Sequence, residues 1–253
     1  MKRHLILALL LSFFAPLLQA QTSTFRDSAH FSINQGNHPV GRSDFAIEPV
    51  KQGQIATPSA YTIVSHGSVT LQNTKFSFSN SGSLNSNLAI LQENLNGIVN
   101  GSAVTFAVRP AGSNFAIDIS ADGRSYRNSI SSPAQTVFFP DFDMSSYDIL
   151  LRLVAMYPDT PVSALIPKQT GILSTATLSP QADVQGTLAG KAISVHHTSL
   201  TIGSVVSELY FSPRNLILEV DVPSQTFAIV RENFQLQQPP PPPPNQAPAT
   251  QQQ

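Results

Sequence analysis

The chain of 253 residues contains no cysteine. That excludes disulfides, thiol catalysis, cysteine-based zinc sites and a diacylated N-terminal cysteine as membrane anchor. A domain of this size has core enough to do without bridges, which small secreted domains need. Charge is also scarce: Asp, Glu, Lys and Arg make up 11% of the residues and the formal net charge is −1, against a usual charged share of ~25%. No basic patch for nucleic acid or anionic headgroups follows from that balance, so no nucleic-acid partner is expected. The sequence has no Gly-x-Ser-x-Gly elbow, no glycine-rich phosphate loop and no His-Glu-x-x-His. No catalytic residue, metal site or cofactor is therefore marked out.

There is one long apolar run. Lys2 and Arg3 precede it, residues 5–18 form it, and Leu18-Gln19-Ala20 ends it on a small residue. This is the layout of a secretory signal peptide. The run is shorter than the ~20 apolar residues that a spanning helix needs. The mature chain is expected in the periplasm or outside the cell, with no transmembrane segment of its own.

Three zones follow the signal at 1–20. Residues 21–30 are polar and read as a flexible arm, and residues 31–234 as the folded unit. From 235 to 253 the chain turns to glutamine and proline, with six consecutive prolines at 239–244. Proline has no N–H to give a helix or ladder, so this tail is expected to be disordered and extended.

Inside the folded unit, apolar residues recur at every second position between turn residues, the signature of half-buried strands. Phe31-Ser-Ile33 leads to a turn at Gln35-Gly36-Asn37. Phe76-Ser-Phe78 is expected to end at Ser79-Asn80-Ser81-Gly82. Asn96-Gly97 and Asn100-Gly101 are both hairpin signals, and Pro110-Ala-Gly112 marks a further turn. The clearest hairpin is 114–130, with Phe115, Ile117 and Ile119 on one face and Asp122-Gly123 at the turn. Near the C-terminus, Leu209 and Phe211 precede Pro213-Arg-Asn215, after which Leu216, Leu218, Val220 and Val222 alternate. The pattern predicts ten to twelve antiparallel strands joined by short turns, without helical crossovers. The expected fold is mainly β: a single large curled antiparallel sheet, a half-barrel or incomplete barrel, with one short packing helix.

The helix is placed at 143–157. Ser145 and Asp148 resemble a capping box, and Tyr147, Leu150, Leu151 and Val154 share one side. It would plug or cover one mouth or face of the sheet. Asp141 and Asp143 flank Phe142 at its start, where negative charge is favoured. Asp148 and Arg152, four apart, should form a modest surface pair. His196-His197 lies in a strand pattern, so the two rings should point to opposite faces and cannot chelate one ion.

A curled sheet presents a concave face. Phe106, Phe115, Ile117, Leu209, Phe211, Leu216 and Leu218 are the candidates to line a pocket there for a lipid or other hydrophobic small molecule. The same side chains would equally serve to fill a packed interior. Two other functions stay open. One is a small β-barrel enzyme using Asp141, Asp143, His196 or His197 at the barrel mouth. The other is an interaction protein that docks through a sheet edge or the proline-rich tail.

The order of elements, from the strand at Phe31 through the 143–157 helix to Leu209-Tyr-Phe-Ser-Pro-Arg-Asn-Leu-Ile-Leu-Glu-Val-Asp-Val-Pro, resembles a group of uncharacterised exported bacterial proteins built on one curled antiparallel sheet. In shape these are similar to the periplasmic lipoprotein-localisation carrier, a half-barrel that holds acyl chains. The resemblance implies a fold and a cell-envelope setting, and lipid binding is only the most suggestive activity of that group. It transfers no individual residue.

Overall fold

Polar and apolar residues alternate one by one in strand β1 (Asp27–Gln35): Asp27, Ala29, Phe31 and Ile33 are buried, while Ser28, His30 and Ser32 are exposed. Successive side chains of a strand point to opposite faces, so the pattern builds one inner and one outer surface. The computed structural model describes residues 25–50, 60–168 and 171–237. The signal segment at 1–20 and the proline run lie outside the described residues.

Seven more strands follow as a meander, each antiparallel to the last: β2 (His38–Pro49), β3 (Tyr61–Leu71), β4 (Thr74–Leu84), β5 (Ile90–Val99), β6 (Ser102–Ala111), β7 (Asn114–Ala121) and β8 (Arg124–Ser131). The turns at Asn100-Gly101 and Asp122-Gly123 have positive φ at both central residues, 50° and 89° in one and 51° and 71° in the other. Those are the angles that twist a two-residue hairpin correctly. The predicted 114–130 hairpin is present in its predicted register.

The chain then enters the curl. Strand β9 (Thr136–Phe138) is wholly buried, helix α1 (Met144–Met156) follows, and β10 (Val162–Ile166) returns parallel to β9. The remaining strands are β11 (Ile172–Pro180), β12 (Val184–Leu188), β13 (Lys191–Ile202), β14 (Val205–Phe211), β15 (Ile217–Val222), β16 (Phe227–Arg231) and β17 (Phe234–Leu236). Strand β16 pairs with β1, which joins the two halves. The sheet thus runs from β8 back through β1, across to β16, and on through β13, β11 and β10 to β9. No ladder joins β8 to β9, so among the described residues this large, mostly antiparallel sheet remains unclosed. Strand β12 pairs with the first half of β13 and with β17, and Phe234 of β17 packs with Val195 and Leu218 in a second, smaller cluster on the outer face. No helix of the described residues is long and apolar enough to cross a membrane.

Several expectations are corrected. Among the described residues there are seventeen strands, more than the ten to twelve read from the pattern, because short strands such as β9 and β17 carry too few alternations to register. One helical crossover between parallel strands exists, β9–α1–β10. Strand β1 begins at Asp27, inside the segment expected to be a flexible arm, and β17 extends two residues past 234. Strand β4 does not end at Ser79; it continues to Leu84, with Asn80 buried on the inner face. Asn96-Gly97 lies within β5, the actual turn coming at Asn100-Gly101.

Of the two roles expected for the helix, plug or cover, its burial fits the plug. Its residues Met144 through Leu151 and Leu153 are buried, and it packs against β2, β3, β9, β10 and β15. Its N-cap is Asp143, which accepts from the Ser145 backbone N–H; Ser145 and Asp148 do not form a capping box. Asp148 and Arg152 are no surface pair either. They meet at 2.7 Å with side-chain exposures of 0% and 13%.

Candidate functional site: the mouth loop and the carboxyl cluster beneath it

Residues 139–143 link β9 to the helix and cross the mouth of the curl. Pro140 cannot donate a backbone hydrogen bond, and Phe142 adopts the left-handed conformation, φ 63°, a strained choice for a non-glycine residue. Surrounding contacts hold it there. The Ser43 hydroxyl donates to the Phe142 carbonyl at 2.8 Å. The Phe142 ring meets Phe227 of β16 edge-on, with centroids 5.2 Å apart, and lies 6.4 Å from Phe76 of β4. Phe76, Phe142 and Phe227 therefore form an aromatic bar from one wall to the other.

A cavity opens on each side of that bar. One, about 180 Å³, has Tyr147, Leu200, Ile202, Val222, Phe227 and Ile229 among its walls. The other, about 320 Å³, is bounded by Val69, Leu71, Phe76, Leu95, Gly97 and Val104. Both share Pro140, Asp141, Phe142 and Lys168. At this common rim the Lys168 ammonium lies 3.2 Å from the Asp141 carboxylate, each side chain 57% exposed. Asp141 and Asp143, two positions apart, thus have unlike surroundings.

Asp143 is fully buried and accepts four hydrogen bonds. Its Oδ1 takes the Ser145 N–H and hydroxyl at 3.0 and 2.6 Å; its Oδ2 takes the Ser65 hydroxyl at 2.8 Å and the Asn80 amide at 3.1 Å. The same Asn80 amide nitrogen donates to Glu93 Oε2 at 3.2 Å. Ser65 and Asn80 are direct cross-strand partners of β3 and β4. Glu93 comes from β5 opposite Gly82, where a β-carbon would lie 2.3 Å from the Glu93 carboxylate. The absent side chain at Gly82 is what gives Glu93 its place.

Burial pushes the Glu93 carboxyl up to about 8, with the charge of Asp143 adding to the effect and the Asn80 amide opposing it. Burial raises Asp143 too, while its hydrogen bonds from Ser145, Ser65 and Asn80 pull the other way. Four donors converge on Asp143 and one on Glu93, so the negative charge belongs on Asp143 and the proton on Glu93 at neutral pH. The Asn80 carbonyl oxygen has no partner. Its amide is turned to serve the two acids instead.

The seven residues expected to line a pocket are dispersed. Phe106, Phe115, Ile117 and Leu209 are packed in the main core, and none of the seven borders either mouth cavity. Phe211 borders a third hollow near the helix C-terminus, which it shares with Leu151, Val154 and the two histidines. Leu216 is half-buried. Leu218 faces the outer side, because the register slips between Tyr210 and Phe211. A bulge of this kind turns alternation inside out for the residues beyond it.

The two histidines point to opposite faces. His196 Nδ1 lies 3.0 Å from Asp183; His197 Nε2 lies 2.9 Å from Glu208, and its ring stacks on Tyr210 with centroids 4.5 Å apart. No group of three or more His, Asp or Glu side chains among the described residues is arranged to hold a metal ion.

Sequence reading missed Asn80, Glu93, Ser65 and Lys168. A signal for Asn80 was available: counting in twos from Phe76 and Phe78 places it on the inner face. Nothing local pointed to Lys168, which joins the rim only through the fold.

No family model matches this chain, and no curated protein matches it. Among solved structures, it is similar to a β-barrel-like protein of the domain of unknown function DUF1849 from Brucella abortus. The TM-score is 0.50 at 7% identity, covering 84% of this chain and 97% of that one. A DUF1089 family protein from Pseudomonas aeruginosa gives a TM-score of 0.42 at 7% identity, over 72% and 90% of the two chains. At that identity the first likeness concerns the fold alone: a β-barrel-like, mainly-β domain.

Proposed function

We propose that this chain is an exported cell-envelope protein that binds a hydrophobic ligand, a lipid or comparable amphiphile, in the cavities at the mouth of its curled sheet. The layout of residues 1–20 supports export. The observation that carries the binding reading is the pair of cavities on either side of Phe142, the larger of them walled mainly by apolar side chains. A dry cavity of about 150 Å³ is enough to take up benzene, and both spaces here exceed it. The acids best suited to proton transfer, Glu93 and Asp143, are sealed beneath the loop, which favours binding over catalysis.

The test is to purify the protein from a bacterial envelope fraction, denature it and analyse the extract by mass spectrometry for stoichiometric lipid. In parallel, the native protein is titrated with a naphthylamine fluorophore. Gly97→Leu is the control: a β-carbon there would make only ordinary contacts of 3.7 Å with Phe76 and Ser77, so the new side chain fills the larger cavity. We expect recovered lipid, and a several-fold loss of probe affinity in Gly97→Leu. A lipid-free protein that also leaves the probe dark would overturn the reading.

A further inference from the structure

Resting on that binding reading, we infer that Phe142 sets the size of the ligand: it partitions the mouth so that a single-chain amphiphile enters one compartment and is stopped at the ring. Three observations converge on this residue. Its ring stands between Phe76 and Phe227, which belong to the walls of the two different cavities. It borders both. Its backbone is tied down at its own carbonyl by Ser43 and one residue further on by Ser65 and Asn80, which hold the Asp143 carboxylate. A ring fixed so firmly is a wall, not a swinging door.

The shared rim supplies the place for the polar end. Among the described residues, Lys168 is the one basic residue bordering the two cavities. Its ion pair with Asp141 is solvent-exposed, and exposed pairs hold their partners weakly. An incoming carboxylate exchanges with Asp141 at little cost, which selects an anionic single-chain amphiphile of the fatty-acid class. A space of 320 Å³ is about twice the benzene-sized cavity. The chain therefore runs out of room after about twelve carbons by the same comparison.

The experiment measures displacement of the naphthylamine probe by saturated fatty acids of graded length, from about six to about sixteen carbons. Each buried methylene tightens binding about fourfold, so the wild-type series should steepen and then level off within that range. Phe142→Gly removes the ring and suits the left-handed backbone at this position, so the fold should persist. In it, the plateau should move to longer chains, with the longest acids binding at least tenfold tighter than to wild type. Phe142→Leu should move it in the same direction by less, and Phe142→Trp should shorten it. Lys168→Ala should weaken every acid by a similar factor and leave the plateau where it is.

An unchanged plateau in folded Phe142→Gly and Phe142→Leu would overturn the partition, as would a wild-type series that tightens without limit. Failure of every acid to displace the probe from any variant would instead overturn the underlying binding reading.

Discussion

The Ser65 hydroxyl donates to the Asp143 carboxylate at 2.8 Å in the buried interior, although 78 positions separate them in the chain. This contact ties the start of the helix to the sheet wall. With the Asn80 amide it makes Asp143 serve three tasks: it caps the helix, anchors the mouth loop and takes the charge that Glu93 gives up.

Replacing Asp143 by alanine removes all three at once. Loss of an N-cap costs about 1 kcal/mol, and each buried donor left without an acceptor costs about 1–3 kcal/mol more. Asp143→Ala should lower stability by about 3–5 kcal/mol in urea denaturation. Serine at 65 replaced by alanine removes one donor only and should cost about 1 kcal/mol. Equal losses in the two variants would mean that Asp143 is not the hub.

The protonated Glu93 gives stability a defined pH dependence. Its carboxyl titrates at about 8 in the folded protein against 4.5 ordinarily. The stabilising contribution is complete below the ordinary value and is lost as pH rises through 8, because the folded state holds the proton longer. The slope over that interval should be about 1.4 kcal/mol per pH unit for one group. Glu93→Gln keeps an acceptor for the Asn80 amide without a charge, so it should flatten the profile and surpass wild type at pH 9. Identical profiles for the two proteins would refute this assignment.

Gly82 and Glu93 should be energetically coupled. A methyl group at 82 would fall 2.3 Å from the Glu93 carboxylate. Overpacking of this kind costs about 1–3 kcal/mol. Gly82→Ala should therefore destabilise the wild type, but much less so in a Glu93→Ala background. Additive losses across the double-mutant cycle would show that the two side chains do not compete for space.

The helix carries a buried charge that depends on its partner. Burial lifts Asp148 to about 6, against the pull of Arg152, and the Arg152 guanidinium also lies 3.9 Å from the centre of the Phe25 ring. Removing one partner of a buried pair is worth about 3–5 kcal/mol. Arg152→Met should be destabilising by that order at pH 7 and less so at pH 5, where Asp148 takes up a proton. A pH-independent loss would locate the effect in the Phe25 contact.

The fold was legible in sequence where alternation is long and turns are marked, as in Phe115, Ile117 and Ile119 against Asp122-Gly123. It was illegible where a polar residue occupies an inward position. Ser79-Asn80-Ser81-Gly82 looks like a turn because its residues are small and polar. Asn80 and Gly82 are so because the inner face there must accept Asp143 and make room for Glu93, a demand from a loop and a strand that pattern cannot anticipate. Leu218 failed for a different reason: one extra residue after Phe211 reverses inside and outside, and no composition announces it. The proposed pocket shifted accordingly. Large apolar side chains mark a filled core, whereas the cavities lie where Gly97, Pro140 and Phe142 keep neighbours apart.

Strand β1 finds its second neighbour, β16, only near the end of the chain: Phe31 pairs with Arg231 and Gln35 with Phe227. Almost the entire polypeptide must be present before that seam can zip, and such distant pairings make assembly slow. Until then the eight-strand meander has both flanks, β1 and β8, unpaired, and the helix has half a socket. Shortening the chain ahead of Phe227 would leave a sticky, unfinished intermediate rather than a smaller stable protein.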